Sequence, residues 1–303
     1  MSAATVTGLR TVTDRRTWAA LAAQAVGATF FHSWEWAECV SREFGWRPHR
    51  HVIDTPRGRW LCQSFQTSRG LESGPIGYGG PLPLSDAAEA DHPEAVLAAV
   101  EEAVGTRFTR IVCSPDLELT LNRAGGREQR TSIVRPARSW DLTWSSVLTG
   151  NARTAVRACR HNGVTVTMVR DAAEVNSVYD IYDESMERVG ATYRTPPALL
   201  RALVSLGDDH VWFLRADCQG RPIGIGMFFR HSHHLFHWIG AYRSADRHLM
   251  STHAILGAAV KEAVERGTTV IDLGASMTEG QLFAKSRWGA VERPYQVYEE
   301  ATS

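Results

Sequence analysis

The side chains able to do chemistry are few and widely separated. Of 33 basic residues only Lys261 and Lys285 are lysines. Lys285 lies in the run Gln281-Leu282-Phe283-Ala284-Lys285-Ser286-Arg287-Trp288, shortly after the apolar stretch Ile271-Asp272-Leu273-Gly274. A lysine with an ordinary pKa of about 10.4 is a cation at neutral pH. Held beside a reacting carbonyl, such a cation stabilises the oxyanion that develops there. Arg153, Arg157 and Arg160 stand at i, i+4 and i+7 and so share one helical face, with no acid inside that helix. Such a face suits phosphate. Residues 123–170 as a whole hold nine arginines against Glu128 and Asp141. The stretch Gly77-Tyr78-Gly79-Gly80-Pro81 cannot be helical, and its glycines permit a close approach of the backbone to something. His231 and His233, two apart on a strand, could converge on a metal. A hairpin turn with exposed imidazoles is the expected reading, because no cysteine or carboxylate lies nearby to complete a site. Asp272 can orient an amine or cap the turn that follows it.

Other chemistries lack their motifs. The chain contains no HExxH, GxSxG, Walker loop or GxGxxG. Five cysteines, an odd number without a CxxC pair, argue against a disulfide framework or zinc knuckle and suit a reducing, cytoplasmic setting. Net charge is zero, so a surface that grips nucleic acid everywhere is excluded, although a local basic face is not. No run of about 18 apolar residues exists, and the first residues lack the order of a secretion signal, so no membrane association is expected. At 303 residues and 44% hydrophobic, the chain can bury a large core, most simply in two domains.

The elements that must carry these residues follow from periodicity and punctuation. Helices are predicted over residues 9–24, 30–44, 86–104, 144–162, 172–189, 197–206, 249–266 and 279–288. Strands are predicted near 51–53, 60–65, 108–113, 131–135, 164–169, 211–216, 222–229, 235–241, 270–273 and 296–298. In the second half, helices precede an antiparallel meander, followed by helix, strand, helix and strand. That order is the layout of a GNAT-type acyltransferase domain, and the first half reads as a looser version of it. The expected class is α/β (α+β): two tandem GNAT-like domains, 1–143 and 144–303, with mixed, mostly antiparallel sheets flanked by helices.

Several segments together resemble the Fem family. They are Phe31-His32-Ser33-Trp34-Glu35-Trp36, Tyr78-Gly79-Gly80-Pro81, the helix from Asn151 to Arg160 with its Asn162-Gly163-Val164 exit, and Asp272-Leu273-Gly274 with Lys285-Ser286-Arg287-Trp288-Gly289-Ala290. The resemblance spans nearly the whole chain. It implies tandem GNAT-like domains that move an amino acid from aminoacyl-tRNA to an amine. Three features depart from the family. Ala284 stands where an aromatic usually precedes the lysine, the coiled-coil arm of some tRNA-using members is missing, and the chain is short for a peptidoglycan-bridge enzyme. In addition, GNAT enzymes that use coenzyme A carry a glycine-bearing loop before the long helix. The corresponding run here, Arg243 to Thr252, has no glycine.

The expected function is therefore an amide-forming aminoacyl transfer from aminoacyl-tRNA to a small peptide or peptide-like natural product. Lys285 is the expected catalytic residue. Tyr78, Tyr242, Asp272 and Trp34 are expected to bind substrate, and Arg153, Arg157 and Arg160 to meet phosphate or tRNA. No cofactor and no metal are expected. The alternatives are an N-acyltransferase using acyl-CoA or an acyl carrier protein, and a non-catalytic peptide-binding relic of the same fold.

Overall fold

The computed structural model describes residues 6–84, 93–117, 119–276 and 278–300. The chain begins with β1 (Gly8–Thr11), α1 (Arg15–Ala22), a 3-10 turn (Phe30–His32) and α2 (Trp34–Phe44). Strands β2 (Arg47–Thr55), β3 (Gly58–Thr67), β4 (Gly70–Ser73) and β5 (Pro81–Pro83) precede α3 (Pro93–Val104) and β6 (Phe108–Val112). Then come β7 (Gly126–Val134), a helical turn α4 (Trp140–Leu142), a π-helical turn (Thr143–Val147), α5 (Gly150–His161) and β8 (Val164–Val169). The rest is α6 (Val175–Arg188), α7 (Pro197–Val204), β9 (Val211–Cys218), β10 (Arg221–His231), β11 (His234–Tyr242), α8 (Ser251–Glu265), β12 (Val270–Ala275), α9 (Glu279–Ser286) and β13 (Val291–Glu299).

Two compact units result: Met1–Arg130 with Arg293–Ser303, and Thr131–Glu292. This division differs from the expected boundary after residue 143. The chain enters the second unit inside β7, and its last strand pairs back onto the first unit, Val297 opposite Val112 of β6.

In the first unit the strand order is β1-β2-β3-β4-β6-β13, with β5 also on β3. Residues 9–11 form a strand rather than the start of a helix. Thr11 pairs with His51, and the Asp14 carboxylate accepts from the Thr17 N–H, which starts α1 only at Arg15. The predicted second helix is split by Ser33, whose hydroxyl caps α2 by accepting from the Trp36 N–H. The helix predicted over 86–104 is observed from Pro93; residues 86–92 lie outside the described ones. Trp18, Val52, Trp60, Leu61, Val96 and Phe108 are among the buried core residues.

In the second unit the order is β7-β12-β11-β10-β9-β8, antiparallel except for β11 and β12. The predicted helices, antiparallel meander, helix, strand and helix are present here, while the last predicted strand, β13, lies mostly in the first unit. Two glycines on β10 draw α8 onto the sheet. A Cβ at Gly224 would stand 2.4 Å from the Ser251 hydroxyl, and one at Gly226 would stand 2.6 Å from Ile255. On the same helix, Gly257 leaves room for Val156 of α5. The helix predicted over 144–162 breaks at Leu148, which is extended, and restarts where Thr149 caps α5. His231 and His234 close the β10–β11 hairpin as cross-strand partners, the turn residue Ser232 having φ 51°.

Candidate functional site

The lysine site is built at the end of β12. Asp272 is fully buried there. Its carboxylate accepts from the Thr131 hydroxyl at 2.5 Å and from the Gly274 N–H at 2.7 Å. The second bond closes a tight turn, and Gly274 takes φ +78°, a conformation costly for any residue with a side chain. Asp272 thus has the turn-capping geometry. The turn presents two successive carbonyls, and Lys285, near the end of α9, donates to both, at 2.7 Å to Gly274 and 2.8 Å to Ala275. Helix α9 is started by the Thr278 hydroxyl, which accepts from the Gln281 N–H, and none of its residues is fully buried.

Two of the ammonium's three N–H bonds are thereby used, leaving one uncommitted. Burial pushes the Lys285 pKa down to about 8, and the Asp272 charge partly restores it. At pH 7 the group is still mostly a cation. His237, which sequence reasoning placed only in a histidine run, stands close by. Its Nε2 faces the Ile239 carbonyl at 3.0 Å and its ring stacks on Phe228 at 4.6 Å. Burial and the nearby Lys285 charge push His237 down to about 4, so it is neutral at pH 7. A bulge at Trp238, between the pairs Met227–Ile239 and Phe228–His237, offsets this part of β11. The β11–β12 ladder ends at Phe236 opposite Asp272, although both strands run on.

The other second-unit residues fall into distinct settings. The Tyr242 ring lies under the Arg188 guanidinium at 4.1 Å, and the Ser185 hydroxyl bonds both its N–H and its carbonyl. Arg153 does not face outward with its neighbours. Its guanidinium donates to the carbonyls of Trp144, Ser145 and Leu148. Arg157 and Arg160 are exposed, and Arg157 lies 5.4 Å over the Trp144 ring. The helical period puts the three on one face; only the break at Leu148 sends the first of them into the turn.

In the first unit, Trp34 covers the guanidinium of Arg50 at 3.6 Å, and Arg50 reaches Gln63 at 3.3 Å. Tyr78 is buried edge-on between Phe31 and Tyr295. What the glycine stretch approaches is its own unit. A Cβ at Gly77 would lie 2.3 Å from the Phe31 ring, and one at Gly79 would lie 2.3 Å from the Gly74 nitrogen. Among the described residues no three His, Cys, Asp or Glu gather as metal ligands, and no helix is long and apolar enough to cross a membrane.

Residues 148–282 match the family described as Acetyltransferase (GNAT) domain. No curated protein sequence matches the chain. Among solved structures it is similar to FemX, at 13% identity and a TM-score of 0.71 over 95% of this chain and 96% of that one. L-PGS from Bacillus licheniformis is similar at 15% identity and TM-score 0.53, over 89% and 93% of the two chains. The C-terminal domain of a putative lysylphosphatidylglycerol synthetase from Agrobacterium fabrum is similar at 13% identity and TM-score 0.52, over 82% of each. At these identities the likeness is one of fold. The expected class and the expected resemblance to the Fem family hold at that level.

Proposed function

We propose that the protein is an acyltransferase that forms an amide bond between an amino acid delivered as its tRNA ester and the amine of a small peptide or peptide-like acceptor. The observation that carries this reading is the Lys285 ammonium, held by two backbone carbonyls with one N–H left over. The GNAT-type second unit and the FemX-like fold support acyl transfer as the reaction class.

The chemistry needs little beyond placement. An ester of tRNA is already activated, so no enzyme nucleophile is required. Holding the amine against the ester carbonyl can lower the barrier by about 7–11 kcal/mol. Attack by the amine puts negative charge on the carbonyl oxygen, and the remaining Lys285 N–H donates to it, worth about 2.7–4 kcal/mol. The intermediate then collapses, the C–O bond to the tRNA ribose breaks, and the released hydroxyl takes up the proton lost by the amine. Asp272 acts through the turn it caps, keeping the two carbonyls in register with Lys285.

An acyl-CoA donor is less well served by the residues before α8. Asp246 is buried in the 3-10 turn Ser244–Leu249, paired through both oxygens with Arg221 at 2.7 Å. The run Arg243 to Thr252 that contains this pair has no glycine to bring backbone N–H groups against a pyrophosphate. The test offers the purified protein a pool of charged tRNAs and an amine-bearing peptide, read by mass gain. Product should appear, should vanish with RNase, and should fall about 10²–10³-fold for Lys285→Ala. Product formed from acyl-CoA with release of free thiol, and none from charged tRNA, would replace this reading with the thioester one.

A further inference from the structure

Some exposed arginines of the second unit are neutralised: Arg170, Arg194 and Arg221 each pair with a carboxylate within 3.0 Å. A different set is not. Among the described residues, Arg157, Arg160 and Arg287 take no carboxylate partner, and all three are exposed. The segment that carries Arg287 lies at the start of α5, the helix that carries Arg157 and Arg160. The Thr149 hydroxyl, which caps α5, donates to the Arg287 carbonyl. A Cβ at Gly289 would lie 2.3 Å from the Val147 carbonyl, so the segment that follows Lys285 lies against the π-helical turn.

That turn is the second observation. Thr143–Val147 is wound with its closing bond from the Leu148 N–H to the Thr143 carbonyl, a π geometry that concentrates at functional sites. It carries half-buried Trp144, with Trp140 one turn earlier at 5.3 Å between ring centroids. Arg153 fastens the turn by donating to two of its carbonyls and to that of Leu148, which follows it. Arg157 then lies over the Trp144 ring. Trp140 and Trp144 are thus tilted against each other at 46° with the Arg157 guanidinium over the second ring, Arg160 is exposed on the same helix as Arg157, and Arg287, two residues from Lys285, lies over the Phe283 ring on the segment beside the turn. Asp141 is the exposed acid within this stretch.

Unpaired nucleotides are recognised by this combination, bases stacking on aromatic rings or guanidinium planes while arginines follow the phosphates. We infer that Trp140, Trp144, Arg157, Arg160 and Arg287 form a track for the single-stranded 3′ end of an RNA, leading its terminal ester toward Lys285. The inference rests on the tRNA reading above and names the surface that would receive the donor. Charge complementarity selects the occupant, and the aromatic stack selects a single strand over a duplex or a lipid surface.

The test uses the full-length protein, a fluorescein-labelled RNA hairpin with a four-nucleotide unpaired 3′ end, and the same hairpin with a blunt end. The tailed hairpin should bind about tenfold more tightly than the blunt one. The double variant Arg157→Glu, Arg160→Glu should weaken tailed binding at least tenfold and flatten its salt dependence, by about 0.7 in log–log slope for each phosphate no longer neutralised. Trp144→Ala should lose the preference for the tailed hairpin, and Trp144→Phe should restore it. Equal affinity for both hairpins, an unaffected double variant, or binding to phosphatidylglycerol vesicles in place of either RNA would overturn the track. RNase-sensitive transfer at the wild-type rate by the double variant would remove the track while leaving the proposed reaction standing. Tight tailed binding without any transfer would do the reverse.

Discussion

The glycine stretch of the first unit and the β12 exit of the second both hold tight glycine turns beside polar groups, yet they end in opposite states. In the first unit the polar groups find local partners. The Ser73 hydroxyl donates to the Gln63 carbonyl and accepts from the Gly80 N–H, and Gln63 in turn donates to the Phe31 carbonyl. The glycines there make space for Phe31 and for the backbone of residues 73 and 74. In the second unit one glycine turn aims two carbonyls at a lysine and leaves that lysine a spare donor. Glycine content alone therefore says that a tight turn stands there, and the fold decides which polar groups that turn presents. A saturated network stabilises; the proposed reaction rests on the cation whose third N–H is uncommitted.

The sharpest way to break this contrast is kinetic. Lys285→Ala should cost about 10²–10³-fold in turnover while the protein stays folded by circular dichroism. A residual rate near wild type would reduce the lysine to a structural tie. The matching change in the first unit is Gly77→Ala. It places a methyl group into the Phe31 ring at a φ of +76°, and should cost about 2–4 kcal/mol of stability in urea titrations. An undisturbed midpoint would mean that the stretch is not packed as described.

Acid should act on both units. Burial pushes His51 in the first unit down to about 4, from 6.5. Above pH 6.5 it is neutral folded or unfolded; between 6.5 and 4 only the unfolded chain binds the proton. Stability is thus lost as pH falls through that window, by about 2–3 kcal/mol, and His51→Gln should flatten the loss. His237, held at about 4 by burial and the Lys285 charge, contributes in the same direction in the second unit. At the alkaline end the sign concerns activity: Lys285 loses its proton as pH rises through about 8, so turnover should decline there. An alkaline limb that survives in Lys285→Arg belongs to another group.

The smallest effect distinguishes two arginines one helical turn apart. Arg153→Ala removes the donor to three carbonyls and should cost about 1–3 kcal/mol, whereas Arg157→Ala should stay within about 0.5 kcal/mol. Equal values would show that the turn does not depend on Arg153.

Much of this was legible in the residues. The first two helices were legible by period, although expected from residues 9 and 30; their caps at Asp14 and Ser33, local bonds complete within three residues, start them later. The order of strands and helices in the second half is periodic over short windows and survives into the structure. Lys285 drew attention by rarity and by its place in an aromatic-rich segment after an apolar strand, and the sequence neighbourhood of Asp272 already allowed a turn cap. By contrast, the edge strand Gly8–Thr11 depends on β2, some forty residues away, and the return of β13 to β6 depends on a partner nearly two hundred residues earlier. The helical period also put Arg153 with Arg157 and Arg160, while the extended Leu148 turned it to another task.

What the sequence determined by itself is whatever closes within a turn or two: caps, alternation, glycine punctuation, and the presence of a single candidate ammonium among many guanidinium groups. The tertiary structure alone decided which carbonyls receive that ammonium, which arginines keep their charge unopposed, and which glycines serve the core. Those outcomes depend on distances between segments far apart in the chain, and hydrogen bonds and ion pairs form or fail over tenths of an ångström that no local pattern records.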